Sequence, residues 1–325
     1  MDALTVSRAE SGQKLLNFLQ RRIEAAAGEL HKWIRSGQVR VNGGRSKAFD
    51  RVSEGDLVRV PPFAALKAPG SASPVRPRPA FANAFGGAAI LPVIYEDEDI
   101  LVLNKPSGLP SQGGTGHADS VASLLAARFR HAEFVPAPVH RLDKDTSGLL
   151  IAGKSYAALR RLSDALAGRT ETPPRKEYLA WVWGRWPHAG ESELRDRMEK
   201  NRQTERMETG RTEGKEARSI VRALETRDVQ GRTATLMLVR LLTGRTHQIR
   251  VQFASRGYPL AGDSRYGRPD GERLRLHAFR LTLPCMPDIR QKNTGSKKKS
   301  LDLICMPDWQ TPWQISMDLP RRRQR

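Results

Sequence analysis

Cysteine is nearly absent from this 325-residue chain, with Cys285 and Cys305 the whole complement. Two thiols supply neither a structural zinc quartet nor the framework of a disulfide-stapled secreted domain. Long apolar runs are missing as well, and none approaches the ~18 residues that a membrane helix needs. The opening stretch, Met1 to Glu10, lacks the basic-then-apolar order of a secretory signal. No segment repeats at solenoid spacing. These absences predict a cytoplasmic protein that does not engage a membrane.

Acidic residues are also in short supply. Thirty-five Asp and Glu stand against 55 Lys and Arg, a net charge of +20 with a pI near 10.6. Such a field favours a polyanionic partner, most commonly nucleic acid. Hydrophobic content of 38% beside 28% charged residues fits a globular protein. The length allows a sizeable domain with a smaller module. Charge names a class of partner and no chemistry.

Residues 10–62 read as the smaller module. Leu15, Leu16, Phe18, Leu19 and Ile23 recur at helical spacing, and Leu30, Trp33 and Ile34 begin a second helix that Gly37 stops. Gln38 to Gly44 predicts a strand entering an Asn-Gly turn, and Leu57 to Val60 a second strand ended by Pro61-Pro62. Lys14, Arg21, Arg22, Lys32 and Arg35 on the helices, with Arg40 on the strand, predict a basic face. Residues 63–90, dominated by Ala, Pro, Gly and Ser, predict a flexible linker.

A larger domain spans 91–320, followed by a basic tail at 321–325. Val93 to Leu103 reads as strand, acidic turn and strand. Ser120 to Arg130 and Tyr156 to Leu166 read as helices, and Lys176 to Gly184, Ala217 to Leu224, Arg232 to Leu242 and Leu276 to Leu283 as strands. Residues 190–216 have few apolar anchors and predict long loops or a surface hairpin. Thr246 is the expected N-cap of a helix on which Ile249 and Phe253 share one face. Lys297 to Lys299 is expected on an exposed loop. The element order predicts an α+β fold with a mixed, mostly antiparallel sheet.

The chemically densest stretch runs from Val139 to Ile151. His140, Arg141, Asp143, Asp145, Thr146, Ser147 and Gly148 lead into the apolar Leu149-Leu150-Ile151. A polar loop at the edge of a buried element is a common setting for chemistry. Local physics leaves a second reading open, a turn held by Asx and Ser/Thr bonds to its own backbone.

Two resemblances extend this reading. Gly12 to Leu16, Phe18-Leu19, Ile34 to Gly43 and Gly55-Asp56 resemble the αL (S-four-type) RNA-binding module of a small-subunit ribosomal protein. That likeness implies that Lys14, Arg35 and Arg40 contact RNA. Six further stretches resemble the RluA family of pseudouridine synthases, enzymes that isomerise uridine in RNA. They are Asn104 to Gly108, His140 to Gly148, Lys176-Glu177-Tyr178, Thr243 to Arg250, Gly262 to Gly267 and Leu276-His277-Ala278. The likeness covers the chain from residue 91 onward. With the module in front, the layout is most similar to the RluC branch, which modifies large-subunit ribosomal RNA. Ser111 to Gly114 and Gln252 depart from the pattern of many relatives.

The resemblance implies that Asp143 is the catalytic aspartate and Asp145 structural. It implies that Tyr178 packs against the target base, that Arg250 pairs with Asp143, and that Ile249 is apolar wall. Arg141 and Arg245 are implied in substrate binding, Lys105 and Pro106 in support of the site. No cofactor and no metal are implied. The implied partner is large-subunit ribosomal RNA, naked or in an assembling ribosomal particle, and a monomer is the default expectation. His140 and His247 are expected to make structural hydrogen bonds.

Two other function classes compete. A non-catalytic RNA-binding or ribosome-assembly factor would use the same basic surfaces, but binding alone has no need of Asp143, Tyr178 and Arg250 together. A metal-dependent nuclease built on Asp143, Asp145 and His140 would need two carboxylates that point apart in extended chain.

Overall fold

The structure, a computed structural model, describes residues 3–66, 91–113, 119–201, 203–210, 214–284 and 300–315. Most of the expected linker, Cys285, the Lys297–Lys299 run and the tail at 321–325 lie outside the described residues.

The N-terminal module folds around its own apolar cluster. Helices α1 (Leu15–Arg22) and α2 (Ala27–Ser36) bury Leu15, Phe18, Leu19, Leu30 and Ile34. They pack on a small sheet of β1 (Ala3–Thr5), β2 (Arg40–Val41) and β3 (Leu57–Arg59), in the order β1-β3-β2. Asn42 and Gly43 both take positive φ, 50° and 80°, the pair of left-handed residues that a tight hairpin turn demands. The buried cluster takes in Val6 at one end and Ala64 at the other, wider than the expected 10–62.

The basic face is smaller than the sequence predicts. Arg22 is spent on the buried Glu10, to which it donates from Nε and NH2 at 2.7 and 2.8 Å. Arg21 faces the larger domain, its guanidinium 4.1 Å from the centre of the Phe134 ring and 3.4 Å from the Val135 carbonyl. Both were read as part of one helical surface because helical spacing does not say which side is already covered.

Among the described residues of the larger domain eleven strands form one sheet. They are β4 (Val93–Glu96), β5 (Ile100–Lys105), β6 (Ala137–Pro138), β7 (Ser147–Gly153), β8 (Arg175–Trp183), β9 (Glu191–Lys200), β10 (Met207–Gly210), β11 (Lys215–Val229), β12 (Arg232–Leu241), β13 (Leu276–Leu283) and β14 (Leu301–Ile304). The main path runs β10-β9-β11-β12-β8-β13-β7-β5-β4. Every pairing is antiparallel except β7 with β13. Within 190–216, β9 and β10 pair as an antiparallel hairpin whose buried apolar anchors among the described residues are Leu194 and Met198.

Three helices lie against this sheet: α3 (Val121–Arg128), α4 (Tyr156–Leu166) and α5 (Gln248–Ala254). The Ser155 hydroxyl caps α4 by accepting from the Ala158 N–H at 3.1 Å, and Ala158, Leu162 and Ala165 form its buried stripe. On α5, Gln252 is fully buried; its amide donates to Asp196 at 2.9 Å, and its carbonyl accepts from Ser219 at 2.7 Å. One sheet face carries Tyr178, Ala180, Val182, Met237 and Val239 into the main core. The alternate residues Leu179, Trp181 and Leu236 meet Trp309 and Trp313 on the other face.

Candidate active site

The site is built at the parallel seam between β7 and β13. Ser147 pairs with His277 and Gly148 with Ala278, while Ala278 pairs on its other side with Tyr178 of β8. Gly148 sits at φ +105°, and a Cβ there would fall 2.3 Å from the Ala278 carbonyl oxygen. Only glycine permits that approach. The loop that leads into β7, with Asp143 on it, is thereby brought one strand away from Tyr178.

The loop backbone is held residue by residue. Ser111 Oγ clasps Leu142 from both sides, accepting from its N–H at 3.0 Å and donating to its carbonyl at 2.9 Å. The Thr146 N–H donates to the Asp143 carbonyl at 3.1 Å, and the Gly108 N–H to that of Lys144 at 2.9 Å. Ser107 Oγ donates to the Asp145 carbonyl at 2.8 Å. Lys105 is fully buried at the end of β5, and its Nζ donates to the carbonyls of Pro106, Leu109 and Lys144 at 2.7–2.8 Å. Three acceptors match the three protons of an ammonium. Burial pushes the Lys105 pKa down to about 7, against the nearby charges of Asp145 and Asp143. The implied supporting role of Lys105 thus has a geometry: it ties the 105–109 turn to the Asp143 loop.

Arg250 projects from α5 toward the same loop. Its NH1 is 3.6 Å from Asp143 Oδ2, too long for a firm hydrogen bond. Its Nε and NH2 instead grip the two oxygens of Asp263 at 2.8 and 2.7 Å. Asp263 Oδ1 also accepts from the N–H groups of Arg265 and Tyr266 at 3.0 and 3.1 Å. Burial works to lower the Arg250 pKa, but the Asp263 bond and the charges of Asp263 and Asp143 outweigh it and raise the pKa further. The guanidinium is permanently charged.

His247 approaches the other carboxylate oxygen, its Nε2 3.8 Å from Asp143 Oδ1. Its Nδ1 shares a 2.7 Å hydrogen bond with the Tyr266 hydroxyl. Burial lowers its pKa; Asp143 opposes this, and Arg250 and Arg265 reinforce it. His247, at φ 54°, is also the residue that caps α5. The expected N-cap, Thr246, lies one residue too early, because the left-handed turn at His247 delays the first helical residue to Gln248.

The remaining residues fall into two groups. Tyr178 and Ile249 are buried in the same apolar cluster as Leu142. The Tyr178 phenol is raised by burial and then by the charge of Asp143. Arg141 and Lys144 are exposed on the loop, as is Asp145. Arg245 lies half-buried, its Nε donating to the Glu216 carbonyl at 2.8 Å. Lys14, Arg35 and Arg40 are on the N-terminal module, remote in sequence from this constellation. Arg40 is engaged with its own turn, donating to the carbonyls of Gly37 and Gly43 at 3.3 and 3.2 Å.

His277 is buried and His140 half-buried, and burial lowers the pKa of both rings. His140 Nε2 accepts from the Ile151 N–H at 3.3 Å, and burial takes its pKa to about 3. That bond occupies the Nε2 lone pair of His140. Among the described residues no three His, Cys, Asp or Glu side chains gather as a metal site.

Sequence reading gave no role to Asp263, Lys176 or Tyr266. Asp263 was inside a recognised stretch, but its partner is 13 positions away across irregular chain. Lys176 lies against Gly244, and burial lowers its pKa. No ion pair joins it among the described residues.

Comparison with known proteins places the chain in a family. The sequence profile described as RNA pseudouridylate synthase matches residues 99–255. Ribosomal large subunit pseudouridine synthase C of Haemophilus influenzae is 35% identical over 291 residues, covering 86% of this chain and 85% of its own. Its counterpart in Escherichia coli K12 is 37% identical over 275 residues, covering 83% of this chain and 81% of its own. Among solved structures, human RNA pseudouridylate synthase domain containing 1 superposes with a TM-score of 0.53 at 26% identity, over 67% of this chain and 84% of that one. The chain belongs to the RNA pseudouridylate synthase family of enzymes.

Proposed function

We propose that this enzyme isomerises specific uridines of large-subunit ribosomal RNA, with Asp143 as its catalytic carboxylate. One observation carries the assignment. Asp143 is partly open to solvent on a loop pinned through Leu142 and through the carbonyls of Asp143, Lys144 and Asp145, and it faces the fixed cation of Arg250. A turn that merely closed on itself would not need a buried lysine, a glycine seam and an oriented guanidinium.

The reaction breaks the N1–C1′ bond of uridine, turns the freed uracil and joins C5 to C1′. Neither atoms nor electrons are gained or lost, so the stoichiometry calls for no cofactor. An ionised Asp143 can attack as a nucleophile or draw off a sugar proton. Arg250 sets a positive charge beside the carboxylate, while Asp263 aims Arg250. Tyr178, its phenol raised, stays neutral at working pH; it offers a ring for the base and a hydroxyl to donate, and no resting base. Ile249 completes the apolar wall.

The target uridine has to leave its stack, which costs a few kcal/mol. Arg141, Arg245 and Lys176 at the site, and Lys14, Arg35 and Arg40 on the module, supply phosphate contacts that offset this. In this reading residues 10–62 are the αL RNA-binding module, 91–320 the catalytic domain, and the protein works as a cytoplasmic monomer on naked RNA or an assembling particle. The test is pseudouridine mapping on large-subunit ribosomal RNA from cells lacking the protein, incubated with the purified enzyme alone. New pseudouridine at discrete positions is expected. Intact uridines across that RNA, beside activity on another RNA class, would move the substrate assignment.

A further inference from the structure

The module carries a feature that phosphate contacts do not use. Phe49 is 67% exposed, and its orientation is imposed by its neighbours. The carbonyls of Ala48 and Asp50 accept from the N–H groups of Leu16 and Leu15 at 3.1 and 2.8 Å, meeting donors at the start of α1. Ala48 is buried. With both flanking residues tied to the helix, the ring between them projects outward.

Its surroundings are basic and aromatic. Lys14 Nζ lies 4.8 Å from the Phe49 ring centre. His31 of α2 meets the ring edge-on, with centroids 6.4 Å apart at 62°. Arg35 is one helical turn beyond His31, so the two share a face of α2. Among the described residues Lys14, Lys32 and Arg35 take part in no ion pair. A partner with only apolar chemistry would leave these cations desolvated; a nucleotide satisfies both, its base on the ring and its phosphates on the cations.

We propose that Phe49 is a stacking platform for one unpaired base of the RNA, with Lys14 and Arg35 holding the flanking phosphates. The inference rests on the reading of residues 10–62 as an RNA-binding module. Stacking is indifferent to which base is presented but requires that base to be unpaired, so the platform selects a loop or bulge at a fixed distance from the target uridine.

The experiment measures binding of the full-length protein to an unmodified large-subunit ribosomal RNA transcript across a salt series. The variants are Phe49→Leu, Phe49→Trp and the double Lys14→Ala/Arg35→Ala. Phe49→Leu is expected to weaken binding roughly five- to hundred-fold without changing the salt slope, with thermal midpoint unmoved. Phe49→Trp, which keeps an aromatic face, is expected to bind within about twofold of wild type. The double variant is expected to weaken binding and to reduce the salt slope by roughly one to two. Wild-type binding by Phe49→Leu beside a weakened double variant overturns the platform and leaves the module reading standing. Equal losses for Phe49→Leu and Phe49→Trp also overturn stacking. An unchanged double variant removes the module reading and the platform with it.

Discussion

Arg250 gives its two-pronged grip to Asp263 and only a 3.6 Å approach to Asp143. The bidentate partner of this guanidinium and the carboxylate proposed as catalytic are therefore different residues. Asp263 is fully buried, so Asp263→Ala leaves a buried cation unpaired, at a cost of about 3–5 kcal/mol in urea unfolding. Asp263→Asn keeps one acceptor and is expected to lower kcat at least tenfold with KM for RNA little changed. Wild-type kcat in Asp263→Asn would mean that Arg250 needs no such anchor.

Lys105→Met keeps chain length and removes the ammonium. Three carbonyls lose their shared donor, two of them on the 106–109 turn and one on the Asp143 loop. The expected destabilisation is about 1–3 kcal/mol, following the cost of unsatisfied buried acceptors. Activity is expected to fall further than stability explains, measured below the unfolding transition, because Asp143 loses its alignment. An active, well-folded Lys105→Met would show that the serine and N–H contacts suffice.

Stability is expected to fall as pH drops below neutrality, for a stated reason. His277 Nε2 donates to the Cys305 carbonyl at 2.9 Å, so its Nδ1 accepts from Ser147 Oγ at 2.8 Å, which describes the neutral ring. Burial lowers its pKa to about 4. The unfolded chain binds this proton near pH 6.5 and the folded chain does not, so stability is whole above 6.5 and is lost toward 4. The full effect is roughly 3 kcal/mol for this residue, and His140 acts in the same direction. Thermal midpoints from pH 7.5 to 4.5 check it; His277→Gln is expected to start lower and to fall less steeply. Parallel curves would contradict the assignment.

Arg21 joins the module to the catalytic domain through Phe134 and Val135, and Gly12 lies against the Tyr156 ring. Arg21→Ala removes a desolvated cation–π contact of about 2 kcal/mol. Hydrogen exchange is expected to rise in α1 and around residues 134–136 while β7 and β13 stay protected. Unchanged exchange would show that other contacts hold the module.

Much of this was legible in the sequence. Tyr156–Leu166 has the expected bounds because one apolar stripe and a serine cap coincide. The α+β class and mixed, mostly antiparallel sheet follow from strands that outnumber helices. What escaped was non-local. For residues 190–216 the choice between long loops and a surface hairpin stayed open, because the β9–β10 hairpin has two buried anchors on an otherwise polar surface. The support that the resemblance implies for Lys105 has no visible cause until three carbonyls converge on it, and Asp263 gains meaning only when α5 brings Arg250 to it. Arg21 and Arg22 read as part of one basic helical face until their partners, Phe134 and Glu10, are in place.

The most direct measurement is pseudouridine formation on large-subunit ribosomal RNA by wild type and by Asp143→Asn, at matched RNA binding. Asn keeps the size and removes the charge. The account predicts discrete new pseudouridines with wild type and at least a thousandfold slower formation, or none, with Asp143→Asn. Comparable rates from both proteins would contradict a catalytic Asp143.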